Sequence, residues 1–412
     1  MKSKSSLPLP PLVVALAGLA AGACSDEPPP RSSWSGTAPM GASRAIFSMT
    51  QLPSGLVLVA GGRHDAVTFP AGSAPQWTTE ALATAELYDP VTGIWTPTGS
   101  MSRGRYGHGA VLLPGGKVLV FGGADTVPHG TPGCLVYGDP PVPCYLFLDS
   151  AELYDPATGT WTPTRGSMAT PHLYPGLLLT SGKVLVLGGI QVVGPTLRSA
   201  ELYDPETDRF EPTGPMATGR AHPACALLDS GEVLVVGGLT TWDESEAGGS
   251  AELYDPVTGT WRPAASPGFR LAWNQAIRLR DGRVLVAGGV DPGQFGVSAT
   301  DRASLYDPVA DAWRGLPRMS HARGMQATTL LPSGRVLLVA GFEDGTEQGI
   351  SAERFDPATG TWTESEAMPH HHGGGVQALV LGNGVVLVAG GLLDDGGFRT
   401  SVRSAELYRE GP

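Results

Sequence analysis

SAELYDPATGTW, Ser150 to Trp161, returns with a single change at Ser250 to Trp261. Related versions occupy Thr84 to Trp95, Ser199 to Phe210, Arg302 to Trp313 and Ser351 to Trp362. A shortened one, SAELYRE, runs from Ser404 to Glu410 and lacks the Trp. The apolar-polar alternation of AELYD reads as a strand with one face better covered than the other. Asp-Pro-x-Thr-Gly then makes a turn, in which Pro pre-sets φ and Gly takes the left-handed position. The Trp falls on the strand that follows.

A second element recurs with the first, a hairpin that ends in Gly-Gly. It is LLPGGKVLVFGG at Leu112 to Gly123, LLTSGKVLVLGG at Leu178 to Gly189 and LLDSGEVLVVGG at Leu227 to Gly238. Further copies stand at Gln51 to Gly62, Arg278 to Gly289, Leu330 to Gly341 and Val380 to Gly391. Each hairpin turns on Ser-Gly, Gly-Gly, Asp-Gly or Asn-Gly, residues that accept positive φ. Its second, Val-rich arm suits a strand covered on both faces. Hairpin, AELYDP strand and Trp strand make four strands in about 50 residues, the unit of a β-propeller blade. One blade cannot bury its own faces, so neighbours must cover them, and a closed ring leaves no exposed end. The Trp missing from the last copy has a counterpart upstream: WSGTAPM, Trp34 to Met40, matches WTPTGSM, Trp95 to Met101. Trp34 is therefore expected to begin the fourth strand of the last blade.

Gly-Gly, then Tyr, then Trp at these spacings resembles the kelch repeat, over residues from about 34 to 408. The resemblance implies an all-β, seven-bladed kelch β-propeller with four antiparallel strands per blade. The first strand of each blade would line the channel, and the last blade would be closed by the N-terminal strand. It is distantly similar to the central domain of galactose oxidase.

Composition agrees with many short strands and tight turns: 58 Gly, 37 Pro and only 16% charged residues in 412. A net charge of −12 argues against a nucleic-acid partner, which needs a broad Lys/Arg surface. Lys2 and Lys4 followed by the apolar stretch Leu7 to Ala23 read as a signal peptide, residues 1–23. Ala21-Gly22-Ala23-Cys24 fits ordinary cleavage and release, and it also resembles a bacterial lipobox in which Cys24 is acylated. The chain is thus expected to be exported, lipid-anchored at the cell envelope or outer membrane, and otherwise secreted. Residues 24–33 form a tether and 34–412 the propeller, with the membrane engaged only through the lipid. Cys134 and Cys144 are expected to form a disulfide in that oxidising compartment. Cys225, within ACALL, reads as a buried hydrophobe.

The joins between repeats carry a Met followed four residues later by a base. The pairs are Met40/Arg44, Met101/Arg105, Met168/His172, Met216/Arg220, Met319/Arg323 and Met368/His372. In the remaining join Ser266 stands for Met and Arg270 holds the basic position. Seven-fold symmetry would gather these cations into a ring at one channel mouth, able to hold an acidic glycan or peptide. The other reading pairs each base with the carboxylate of a neighbouring blade, the Glu of AELYDP. Long connections with Trp77 and Trp242 would rise on the same face, where variable loops carry binding. Arg44, Arg105, His172, Arg220, Arg270, Arg323, His372, Trp77 and Trp242 are the ligand-binding candidates.

His370-His371-His372 is not expected to bind metal, because consecutive residues do not converge on one ion and no partner stands at ligand spacing. No cofactor and no catalytic residue is expected. The sequence has no Tyr-His pair of the galactose-oxidase type, no nucleophile elbow and no phosphate loop. The expectation is a monomeric, non-enzymatic envelope protein that binds a glycan or protein. The alternative is a carbohydrate-active kelch enzyme, a copper oxidase or a sugar mutarotase.

Overall fold

The computed structural model describes residues 32–68, 76–128, 131–132, 135–136, 144–173, 176–190, 196–241, 248–293, 296–343, 349–395 and 398–411. These residues contain no helix and form seven four-stranded antiparallel sheets. From the axis outward, blade 1 comprises Ser48–Gln51, Val57–Ala60, Ala85–Asp89 and Ile94–Thr98. Blade 2 is Gly109–Leu112, Val118–Phe121, Ala151–Asp155 and Thr160–Pro163. Blade 3 is Gly176–Leu178, Val184–Leu187, Ala200–Asp204 and Arg209–Thr213. Blade 4 is Ala224–Leu227, Val233–Val236, Ala251–Asp255 and Thr260–Ala264. Blade 5 is Gln275–Arg278, Val284–Ala287, Ala303–Asp307 and Ala312–Gly315. Blade 6 is Ala327–Leu330, Val336–Val339, Ala352–Asp356 and Thr361–Glu364.

Blade 7 draws on both chain ends. Gln377–Val380, Val386–Ala389 and Ala405–Arg409 come from the C-terminal side, and Ser33–Gly36 adds the outer strand. The register sets Trp34 opposite Tyr408. Their rings lie 4.9 Å apart at 52°, much as Tyr154 and Trp161 lie 5.0 Å apart at 48° in blade 2. Each inner strand also contacts its two neighbours, so the circuit closes from blade 7 back to blade 1.

The core sits between blades. Every second strand is buried along its whole length, as its Val-rich sequence requires when both faces are covered. Seven apolar clusters each span one blade-to-blade seam. Between blades 7 and 1, for example, Leu387, Ala389 and Ala405 meet Val57, Val59 and Tyr88. The repeated Trp latches the rim: its indole N–H donates to a carbonyl in the join that leaves the preceding blade. Trp161 reaches Gly99 at 2.7 Å, Trp261 reaches Gly214 at 2.6 Å and Trp313 reaches Ala265 at 2.7 Å.

The two faces of the ring differ. One carries the Asp-Pro turns and the tight inner hairpins; it is called the turn face below. The other, the hairpin face, carries the joins and the connections from second to third strands. Extra hairpins rise there: Arg63–Thr68 with Gln76–Ala81 in blade 1, Ala124–Val127 with Cys144–Phe147 in blade 2, and Leu392–Asp395 with Phe398–Ser401 in blade 7. Blade 5 adds Val290–Gly293 with Gly296–Ala299. Cys144 is disulfide-bonded. Cys134, the partner expected from the sequence, lies outside the described residues, as do segment 1–23 and Cys24.

Candidate functional site

Each join runs from the outer strand of one blade to the inner strand of the next, and in six of the seven a Met is buried in the apolar seam between them. Four residues on, the basic residue bridges that seam. The Arg220 N–H donates to the Leu197 carbonyl, and its own carbonyl accepts from Gly189, both in blade 3. Its side chain enters blade 4: Nη1 donates to the carbonyls of Gly237 (2.6 Å) and Ser250 (3.0 Å). Nη2 donates to Ser250 Oγ (2.7 Å) and Glu252 Oε1 (3.0 Å). Arg44 meets Glu86 at 2.6 Å, Arg105 meets Glu152 at 3.1 Å and Arg323 meets Glu353 at 2.9 Å in the same way. His172 with Glu201 (3.1 Å) and His372 with Glu406 use imidazole instead. The carboxylate also accepts backbone N–H groups just after the Met, Ala217 and Thr218 in the case of Glu252. The Ser and Glu of SAELYDP, the first glycine after the hairpin and the distant Arg are therefore parts of one clamp.

The cations expected around the mouth are brought together, but they point into the seams. Arg44, Arg105, Arg220, Arg323 and His372 are 0% exposed and His172 is 1% exposed. They offer no surface to a ligand. Burial lowers the pKa of Arg44, Arg105 and Arg220, and the facing glutamate opposes that shift. Such a pair is weak evidence for net stability, yet removing one partner strands a buried charge.

The seventh join departs from the register read in the sequence. There Leu271 occupies the clamp position: its carbonyl accepts from Gly238, as the Arg220 carbonyl accepts from Gly189. Counting back four residues places buried Pro267 where Met stands elsewhere, and Arg270 is exposed. Proline has no N–H to give, and the Ser266 hydroxyl donates to the Gly249 carbonyl in its place. The glutamate has changed as well, to Ser304, which is buried and donates to the Arg314 carbonyl at 3.0 Å. Both halves of the clamp are thus replaced together, and Arg270 is not part of the ring.

What faces the axis lies two residues beyond the clamp, or three beyond it after His372, where Gly373 takes the clamp's backbone bond to Gly341. Ile46, Gly107, His222, Trp273, Met325 and Gly375 all adopt positive φ, from 51° to 70°. Their backbones hydrogen-bond to one another around the mouth. Gly107 N–H donates to Ile46 (3.0 Å), Ile46 to Gly375 (2.8 Å), and Gly375 to Met325 (2.9 Å). Met325 donates to Trp273 (3.1 Å) and Trp273 to His222 (3.3 Å). The blade 3 counterpart, position 174, lies outside the described residues. Sequence reasoning missed this ring because its members share no side-chain chemistry. Their offset from the clamp varies as well, two residues in five copies and three after His372, and only two copies carry glycine.

Above the ring, Leu173, Ile190, Ala221, Leu239, Ala272 and Val290 form an apolar layer over blades 2 to 5. Tyr106, Phe147 and Trp273 pack against it half-buried, and the His222 and Trp273 rings meet edge-on at 5.7 Å. Burial pushes the His222 imidazole down to about 4, so it is neutral at pH 7. The other side is polar: Arg63 holds Asp65 at 2.7 Å, and Ser401, Ser43 and His64 tie the blade 7 hairpin to blade 1. Trp77 lies on the Gln76–Ala81 strand opposite Val67. Trp242 is outside the described residues.

The Kelch motif family model matches residues 173–217 and 220–268. A galactose oxidase from Gibberella zeae is 31% identical over 107 residues, 26% of this chain and 14% of that protein. The Kelch-like protein terF of Aspergillus terreus is 28% identical over 144 residues, 32% of this chain and 30% of that one. The matched stretches thus cover less than a third of either relative. Among solved structures, a fungal alcohol oxidase of the AA5 family in complex with copper superposes with a TM-score of 0.68 at 17% identity. That match covers 92% of this chain and 76% of the oxidase. The structure of YjhT gives 0.58 at 13% identity, over 80% of this chain and 99% of that one. A copper centre needs convergent donors. Among the described residues, no group of three His, Cys, Asp or Glu side chains is placed to hold a metal ion. Burial raises the pKa of the Cys225 thiol, which disfavours the thiolate a metal would need.

Proposed function

Because the chain is a seven-bladed kelch-repeat propeller, we propose that it is a non-enzymatic binding protein of the cell envelope, taking a glycan or protein ligand on its hairpin face. The observation that carries this reading is the strained ring at the mouth. Ile46, His222, Trp273 and Met325 hold left-handed backbone conformations. Such conformations cost on the order of 1–3 kcal/mol each for residues other than glycine. Glycine would sit there without strain, as Gly107 and Gly375 do. Large side chains kept at that cost form an aromatic and apolar floor, walled by the hairpins of blades 1, 2, 5 and 7. Half-buried aromatic rings beside polar groups are the usual furniture of a ligand site. The floor, and not the clamped cations, supplies the affinity, so the ligand need not be acidic.

A second reading, a carbohydrate-active kelch enzyme, is favoured by the similarity to galactose oxidase. Glycan arrays and envelope pull-downs, run beside copper analysis and a peroxide assay on simple sugars, separate the two. Binding without turnover is expected. Stoichiometric copper with peroxide release would replace the binding reading by the enzymatic one.

A further inference from the structure

The N-terminal strand fixes how the molecule would stand on a membrane. Ser33 pairs with Arg409 and Gly36 with Glu406. In every blade the AELYD-type strand starts at the hairpin face, beside the clamp, and ends at the turn face. Ser33 therefore lies at the turn face, and the chain that precedes it departs from there.

That face carries exposed apolar side chains at a repeated place. Val91, Val257 and Val309, the residues after Asp-Pro in blades 1, 4 and 5, are 94%, 92% and 96% exposed. Ile94, in the same turn region of blade 1, is 54% exposed. The turn does not require them. Only the backbone of this residue is used, its N–H donating to the preceding Asp, as Val91 does to Asp89. Blade 3 places Glu206 there with the same bond to Asp204. Blade 1 stands across the ring from blades 4 and 5, so the valines make a tripod on one surface. Two lysines on this face are paired locally, Lys117 with Asp155 and Lys183 with Asp204.

We propose that the turn face is apposed to a lipid bilayer, resting on it through Val91, Ile94, Val257 and Val309, with the hairpin face turned away from the membrane toward its ligand. This rests on the reading of Cys24 as acylated. Residues 25–32 would then span at most about 28 Å between lipid and blade 7. A lipid chain combined with a second surface contact gives firmer membrane attachment than either alone.

The test places an environment-sensitive label on Val91→Cys, Val309→Cys or, on the hairpin face, Glu80→Cys. The natively exported protein is reconstituted in phosphatidylethanolamine/phosphatidylglycerol vesicles that contain spin-labelled lipid. Mass analysis of the N-terminal peptide reports acylation separately. The same labels are read on protein held to nickel-chelating vesicles by a histidine tag at position 24, which removes any need for acylation. Quenching at positions 91 and 309 but not at 80, in both formats, is the expected result. In the tagged format it should be lost when the remaining valines are changed to Ser. Quenching at 80 instead, or at none of the three, overturns the proposal whether or not Cys24 is acylated. An unmodified Cys24 with quenching retained in the tagged format would remove the anchor reading alone.

Discussion

Arg220 and Glu252 meet at 3.0 Å across the seam between blades 3 and 4, with the Arg side chain fully sealed from water. Glu252 is the Glu of SAELYDP, and Arg220 is fixed through its backbone to the preceding blade. Five other seams repeat the relationship. The seam between blades 4 and 5 solves the same problem with Leu271 and Ser304.

That exception predicts how the clamp responds to change. Glu252→Ala should cost about 3–5 kcal/mol, because it leaves a buried guanidinium without its counter-charge. Arg220→Leu with Glu252→Ser, copying the natural substitution, should cost clearly less than the sum of the single changes. Equilibrium unfolding of the three variants checks this. Additive losses would mean that the two side chains stabilise the seam independently.

Closure through the N-terminal strand gives a second expectation. Trp34 packs on Tyr408 and joins the apolar seam between blades 6 and 7. Trp34→Ala should destabilise the protein by about 2 kcal/mol, less than a fully buried Trp would cost. Deleting Trp34 to Met40 should lower the melting temperature far more, since it strips the strand that shields Ala405–Tyr408. An unchanged melting curve would show that blade 7 is stable with three strands.

Acid should weaken the fold through buried histidines. Burial, with Arg105 nearby, pushes His108 down to about 3, and burial alone pushes His222 to about 4. The unfolded chain takes up these protons near pH 6.5. Stability should therefore fall as pH drops from about 6.5 toward 4, where the unfolded state binds more protons than the native one. Glu201 adds to the loss lower down. Burial raises its pKa, but the hydrogen bonds from His172 and the backbone outweigh that and hold it low. Its contribution is present above the ordinary carboxylate pKa and disappears below it. Melting temperatures between pH 7 and 4 should show the decline, and His108→Gln, which can keep the bond to Ser48 Oγ, should make it shallower.

The ring and its closure were legible because both are written in repeats: the hairpin, the AELYDP strand and the stray Trp34 all recur in register. The basic residues were legible as a ring but not in their direction. Whether a guanidinium faces the channel or the seam depends on its partner, and the Glu of AELYDP was equally visible. The decisive signal lay in comparing repeats, because the one copy that lacks this Glu, at Ser304, is also the one whose join shifts Arg270 out of place. The strained floor was not legible. Left-handed conformation at Ile46, His222, Trp273 and Met325 is imposed by the inward-turning joins and not by residue preference. The disulfide partner of Cys144 and the place of Trp242 lie outside the described residues.

The residues that hold the ring together are distinct from those proposed to meet a ligand, and one pair of variants tells the two roles apart. Arg220→Ala and Trp273→Ala should be compared for melting temperature and, well below melting, for affinity toward whichever glycan or envelope protein the screens return. Arg220→Ala should melt much lower but bind normally, and Trp273→Ala should melt close to the parent but lose binding. Lost binding with intact stability in Arg220→Ala, and normal binding in Trp273→Ala, would return the site to the cations and contradict this division.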